Sequence, residues 1–269
     1  METLDSSPSF SLLNKASAKQ VVLKPFPYLV IEDALEESLY RQIEEGYPDF
    51  LKENPAFKKW NNKRVQIYGS DFVKNSKHST LLRSFVNYHL SQKFYLEVCE
   101  LFSEAISQYY PELEKKIGKK IEDIKVAVRT QEATDVELFL DCQIGINTPV
   151  SKKTSVRGAH LDDVKKFFVG LFYLRQDEDI SEGGDLLLYK VKKDYPLLDS
   201  DPNWGSNVVQ DFSKIEAVAK VPYQRNVFII FLNTKDSFHG VSEREETPYP
   251  RRLINVIGDF SKDIGLYGL

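Results

Sequence analysis

The chain has 269 residues, 42% of them hydrophobic and 12% aromatic, which suits one large domain or a core with a helical extension. A net charge of -4, a pI near 5.7 and the lack of a basic block give nucleic-acid binding no electrostatic support. The opening METLDSSPSFSLLNKASAKQ has no apolar signal core and no later run is long enough to span a bilayer, so the expectation is a soluble cytoplasmic protein with no membrane partner.

In chain order, residues 1–20 read as a loosely ordered lead-in. VVLKPFPYLVIED at 21–33 reads as strand, broken by Pro25 and Pro27. Leu35, Leu39 and Ile43 then recur at helical spacing, and Gly46 and Pro48 end that helix. A second helical stretch is predicted over 79–110 with a break near Ser91, and a shorter one over 111–120. KKIGKK at 115–120 reads as a solvated face. Cys99 and Cys142 suggest no disulfide framework and read as core residues.

The character changes near residue 121. IEDIKVAVRT, VELFLDCQIGINTP, FFVGLFYLR, GGDLLLYKV, IEAVAKVP, NVFIIFLN and RRLINVIGDF are short, rich in β-branched and aromatic residues, and bounded by Gly, Pro, Asn or charge. Such spacing predicts a β-sandwich or barrel. The expected organisation is therefore a strand and helical region over 1–120 packed on a β core over 121–269, as one cooperative unit.

The HLD triplet at 160–162 leads directly into an apolar strand. On an extended chain His160 and Asp162 share a face, which puts an imidazole beside a carboxylate. Alone, the triplet reads better as a turn-capping Asp beside a surface His. Of the other three histidines, His78 and His89 read as surface or capping residues. His239 ends the apolar run NVFIIFLNTKDSFHG beside Gly240, a good position for a ligand at a barrel mouth. Two histidines and one carboxylate with open positions form the facial triad of non-haem Fe(II) oxygenases. An arginine follows on the next strand, in RRLINV. A planar guanidinium is the best partner for a buried carboxylate.

These pieces carry a resemblance. HLD, GLFYLR, EGGDLLLY, FHGVS and RRLINV, in this order over roughly 140–258, make the chain similar to the Fe(II)/2-oxoglutarate-dependent dioxygenases, the prolyl-hydroxylase-like branch especially. The resemblance implies an α+β protein with a double-stranded β-helix (jelly-roll, cupin-like) core buttressed by N-terminal helices. It implies Fe(II) held by His160, Asp162 and His239, with 2-oxoglutarate as cosubstrate and O2 as oxidant. Hydroxylation of an unactivated C–H, with release of succinate and CO2, would follow. Arg251 and Tyr173 are the residues expected to grip the distal carboxylate of 2-oxoglutarate, and Asn255 shares their pocket.

RRLINV fits the family pattern best with Arg251 inward and Arg252 outward. Gly183 and Gly184 match paired glycines that turn into the next strand. Asp162 argues against halogenation, because halogenases of the family replace this carboxylate with a small residue. Gln143, Asn147, Arg157 and Trp204 are candidate substrate contacts, Lys153 reads as surface charge, and the 194–215 segment reads equally as a lid or a strand connection. A small-molecule substrate is favoured. The alternatives are a peptidyl side chain and a non-catalytic jelly-roll binding module.

Overall fold

A computed structural model of the chain describes residues 4–130, 133, 135–192, 209 and 212–268. Ten strands and seven helices are defined among these residues. The large sheet holds β1 (Tyr28–Ile31), β8 (Val227–Leu232), β5 (Lys166–Tyr173), β10 (Arg251–Phe260), β4 (Leu138–Asn147) and β2 (Arg64–Ile67), in that order. These six pair antiparallel, and β3 (Val126–Val128) adds a parallel pairing to β4. The small sheet has the order β7 (Ile215–Val221), β6 (Leu186–Val191), β9 (His239–Val241). A bridge between His160 and His239 extends it by one segment. From β4 onward the chain alternates between sheets: β4 large, residue 160 small, β5 large, β6 and β7 small, β8 large, β9 small, β10 large.

The period of two in the strands sorts residues between two cores. Even-numbered Leu138, Leu140, Cys142, Ile144 and Ile146 of β4, with Ile254 and Val256 of β10, pack on the helical side. There they meet Phe85 and Val86 of α4 (Thr80–His89) and Phe94 and Val98 of α5 (Gln92–Leu101). Full burial of each such side chain is worth about 1.5–3 kcal/mol. On the opposite face Val169, Tyr173, Ile229, Phe231 and Leu253 meet Leu186, Leu188 and Val221 of the small sheet. Both faces of β4 and β10 are thus covered, and odd-numbered residues of both strands look between the sheets.

The helices follow their local signals. α1 (Glu37–Glu45) turns Tyr40 and Ile43 inward and stops at Gly46. The Ser79 hydroxyl accepts from Leu82 N–H at 3.2 Å to start α4, and that of Ser91 accepts from Phe94 N–H at 3.3 Å to start α5. The expected break near Ser91 is therefore a new N-cap, and a second break at Phe102 separates α6 (Ser103–Tyr109). α7 (Leu113–Ile117) ends at Gly118 in the left-handed region.

Several expectations need correction. Within 49–78, where no element was anticipated, the chain forms α2 (Phe50–Glu53), β2 and α3 (Gly69–Lys74). The strand expected over 21–33 shrinks to β1, because Pro25 and Pro27 turn the chain so that Val22 bridges Tyr28. The strand expected from 121 begins only at Val126, after a 3-10 turn at Ile121–Asp123. The lead-in is anchored by buried Phe10, Leu12 and Leu13.

That anchoring also corrects His89, which is fully buried. It donates through Nδ1 to Phe85 O at 2.8 Å and accepts at Nε2 from Leu12 N–H at 3.3 Å, an arrangement that needs the neutral ring. Burial pushes its pKa down to about 4 from 6.5. Below pH 6.5 the unfolded chain takes up the proton and the folded chain does not, so this group withdraws stability as pH falls to about 4. The total is about 3 kcal/mol. The urea midpoint of the wild-type chain is expected to fall more steeply across that window than that of His89→Gln. Parallel slopes would show that His89 is not held neutral.

Among the described residues no helix is long and apolar enough to cross a membrane.

Candidate metal centre and its cavity

Two backbone hydrogen bonds clamp the segment at His160 to the start of β9. His160 N–H donates to His239 O at 2.8 Å, and His239 N–H to His160 O at 3.0 Å. This direct pairing sets the two imidazoles side by side, with ring centroids 4.3 Å apart. The next residue, Gly240, lies against the backbone of Gly158 and Ala159. A Cβ there would stand 2.7 Å from Ala159 N, so a side chain would force the histidine pair apart. Two residues after His160, on the same face, Asp162 brings Oδ2 to 3.5 Å from His239 Nε2 and Oδ1 to 3.9 Å from His160 Nε2. One ligand atom from each residue lies within 4.8 Å of the others, and all three side chains are buried.

The histidine tautomers are set by the backbone. His160 Nδ1 donates to Gly158 O and His239 Nδ1 to Ser237 O, both at 2.8 Å. Each Nε2 is therefore the lone-pair atom and faces the carboxylate, the arrangement a cation requires. Burial pushes the His160 pKa down to about 2, helped by His239 and Arg157, and burial also lowers that of His239. Burial works against the charge on Asp162. The Lys166 ammonium and the groups around it outweigh this and hold the carboxyl below its ordinary range. At neutral pH the cluster thus offers two neutral imidazoles and one carboxylate, with no proton to shed before binding a cation.

Lys166 and the far side of the carboxylate were not anticipated from sequence. Lys166 Nζ lies 2.8 Å from Asp162 Oδ1, and Arg157 Nη1 lies 3.7 Å from the same oxygen. Oδ1 thus meets two protein cations as well as facing His160, and Oδ2 is the oxygen turned toward His239.

The cluster stands at one end of a cavity of about 440 Å³ between the sheets. Arg251 stands at the other end, beside inward-facing Leu253 and Asn255 of β10. Its Nε donates to Gly184 O at 2.8 Å and Nη1 to Asn147 Oδ1 at 3.4 Å, while Nη2 has no partner. The guanidinium lies 4.7 Å from the Tyr173 ring and 4.9 Å from that of Tyr223. The Tyr173 hydroxyl is also buried and unpartnered. Arg252 takes the opposite side, where Nη2 pairs with Glu44 of α1 at 2.8 Å.

Gln143, Asn147, Arg157 and Asn255 all line the cavity. Gly183 and Gly184 have φ of +82° and +77°, and a Cβ on Gly183 would overlap Glu243 O, so the paired glycines serve the turn. Lys153 pairs with Glu245 at the surface. Trp204 and most of the 194–215 segment lie outside the described residues. Sequence reasoning missed Arg64, Gln66 and Arg129 on the cavity wall. Their signal was weak, because RVQI is a four-residue strand between polar runs and its neighbour is distant in sequence.

No protein-family model and no curated protein sequence matches the chain. Solved structures do. A prolyl 4-hydroxylase from Phytophthora capsici is 16% identical, with 97% of this chain and 68% of that chain covered and a TM-score of 0.47. A prolyl hydroxylase from Trichoplax adhaerens, in complex with a hypoxia-inducible-factor peptide, is 12% identical, covers 93% and 91%, and has a TM-score of 0.42. A non-heme alpha-ketoglutarate-dependent epimerase of nogalamycin biosynthesis is 10% identical, covers 91% and 78%, and has a TM-score of 0.44. The solved structures to which this chain is similar thus include prolyl hydroxylases and an alpha-ketoglutarate-dependent epimerase, the kind of protein its motifs resemble.

Proposed function

We propose that the chain is an Fe(II)- and 2-oxoglutarate-dependent dioxygenase that hydroxylates a C–H of a small molecule. One observation carries the reading. A buried two-histidine, one-carboxylate cluster and a buried arginine with an unpartnered nitrogen stand at opposite ends of one cavity. The donor set fits Fe(II), being neutral imidazole and carboxylate in the ratio of the facial triad. The Arg251 Nη2 and Tyr173 hydroxyl fit the far carboxylate of 2-oxoglutarate, which would accept from both.

In this reading residues 121–269 form a double-stranded β-helix catalytic core and residues 1–120 its support. The alternation of successive strands between two facing sheets supports that architecture. Bound iron would supply the oxygen chemistry, with 2-oxoglutarate consumed to succinate and CO2. The protein's own contribution is placement. The backbone carbonyls of Gly158 and Ser237 hold the imidazoles in the metal-binding tautomer. Lys166 holds Asp162 through Oδ1, with Oδ2 facing His239. Leu253, Val169 and Leu171 supply apolar wall between the two ends and limit water.

A small substrate is supported by the burial of the triad and the size of the cavity. The triad is only 3–5% exposed, and the cavity volume falls in the range of pockets that bury small ligands. The test is a succinate-release screen of the iron-loaded chain against free amino acids, other small metabolites and peptides. Stimulation by a small molecule, with a product one oxygen heavier, is expected. Stimulation by peptides alone would move the substrate to a peptidyl side chain. Asp162→Gly is expected to end hydroxylation while retaining a cooperative melting transition, because Asp162 meets cations and imidazoles and packs against no core cluster. Full hydroxylating activity in that variant would contradict the assignment.

A further inference from the structure

The wall of the cavity formed by β2 and β4 carries a chain of side-chain amides whose direction can be deduced. Gln143 and Asn255 are directly opposed across the β4–β10 ladder. Asp141 lies two residues before Gln143, on the same face. Its carboxylate takes Gly69 N–H at 3.0 Å on Oδ1 and Gln143 Nε2 at 2.8 Å on Oδ2. Burial raises the Asp141 pKa, but Gly69 N–H and Arg129 Nε, 3.8 Å from Oδ2, favour the ionised carboxylate; that form only accepts, so Gln143 presents its NH2 to Asp141 and its carbonyl to Asn255. Asn255 then donates from Nδ2 to Gln143 Oε1, at 3.4 Å. What remains is Asn255 Oδ1, which is shielded from solvent and without a partner. Asp141 thereby fixes a hydrogen-bond acceptor on the cavity wall. 2-Oxoglutarate as a dianion has no N–H or O–H to give, so it cannot satisfy this atom.

The same wall carries an unpaired cation. Arg64 sits in register with Asn147, which is in register with Arg251, so three strands present Arg, Asn and Arg in one row. Arg64 lines the cavity and donates from Nε to Gln66 Oε1 at 3.0 Å. Among the described residues it meets no carboxylate. Of the other cations lining the cavity, Arg129 pairs with Asp259, and Lys166 and Arg157 with Asp162, while Arg251, with its unpartnered Nη2, is the one assigned above to 2-oxoglutarate. Burial and the nearby Arg251 depress the Arg64 guanidinium to about 10, the direction expected for a desolvated cation that lacks an anion. A single positive charge matches a carboxylate better than a phosphate dianion.

We propose that this wall binds the substrate, and that the substrate is a small carboxylate bearing an amine or hydroxyl: Arg64 takes the carboxylate and Asn255 Oδ1 accepts from the N–H or O–H. The proposal rests on the 2-oxoglutarate reading above and moves Asn255 from the cosubstrate to the substrate.

Two measurements test it separately from that reading. The first is the thermal shift given by Mn(II) and 2-oxoglutarate. The second is succinate release stimulated by three matched panels: L-amino and L-hydroxy acids, their C-terminal amides, and the same acids without the amine or hydroxyl. On the wild-type chain the complete acids are expected to stimulate at least tenfold more than either other panel. Arg64→Gln should erase the preference over amides, and Asn255→Leu the preference over the truncated acids. In both variants the 2-oxoglutarate concentration giving half the thermal shift should stay within about twofold of wild type. Equal stimulation by the three panels, or none by any while 2-oxoglutarate still binds, would overturn the proposal, and these arms need no variant. A large rise in that 2-oxoglutarate concentration in Arg64→Gln would also overturn it, by placing Arg64 with the cosubstrate. Failure of the wild-type chain to respond to Mn(II) and 2-oxoglutarate would instead overturn the reading beneath.

Discussion

His239→Ala is expected to lose tight Fe(II) binding, with affinity falling at least about a hundredfold, and 2-oxoglutarate turnover with it. Loss of outer-shell partners of a metal site already costs about ten- to a hundredfold in affinity, so loss of a ligand sets that as a lower bound. The structure gives the reason for choosing this residue. His239 and His160 are held together by a reciprocal pair of backbone hydrogen bonds, which the substitution leaves in place. The variant therefore removes one nitrogen without moving the others. Iron per chain after gel filtration reads the result, and the far-UV spectrum reports whether the fold survives. An unchanged iron content in a folded variant would remove His239 from the site.

Arg251→Ala is expected to raise the apparent KM for 2-oxoglutarate at least tenfold, equivalent to about 1.4 kcal/mol. A charge-assisted hydrogen bond contributes about 1.5–3 kcal/mol, so a hundredfold rise is within reach. The guanidinium is 2% exposed, already fixed by Gly184 O and Asn147, and held against the rings of Tyr173 and Tyr223. Little ordering remains to be done when a carboxylate arrives. Arg252→Ala should leave KM nearly unchanged and lower stability by about 1 kcal/mol, because Arg252 meets Glu44 and Leu174 O on the helical side of the sheet. The reverse ranking in a 2-oxoglutarate titration would contradict the register of β10 described here.

Legibility in the sequence followed the range of the interactions. Alternation along RRLINV separates Arg251 from Arg252, because a strand carries its period locally. HLD followed by an apolar strand, and His239 beside Gly240, are likewise local patterns. What brings His160 to His239 is a pairing between segments far apart in the chain, and only composition and order hinted at it. The residues that escaped notice depend on distant partners. Lys166 reads as one more surface lysine in VKKFF until the turn after Asp162 returns its ammonium to the carboxylate. His89 reads as one more polar residue on a helix, and its burial is completed by a lead-in segment whose Leu12 crosses over it. Arg64 belongs to an edge strand too short to announce itself, and only its register with Asn147 shows which way it points.

The most direct test of the central claim is the stoichiometry of succinate formed to 2-oxoglutarate consumed by the purified chain, with Fe(II) present and with the metal chelated. The His160, Asp162 and His239 cluster, with Arg251 at the far end of its cavity, predicts one succinate per 2-oxoglutarate, dependent on Fe(II) and O2 and lost in His239→Ala. No succinate from the iron-loaded chain, or an equal rate after chelation, would contradict it.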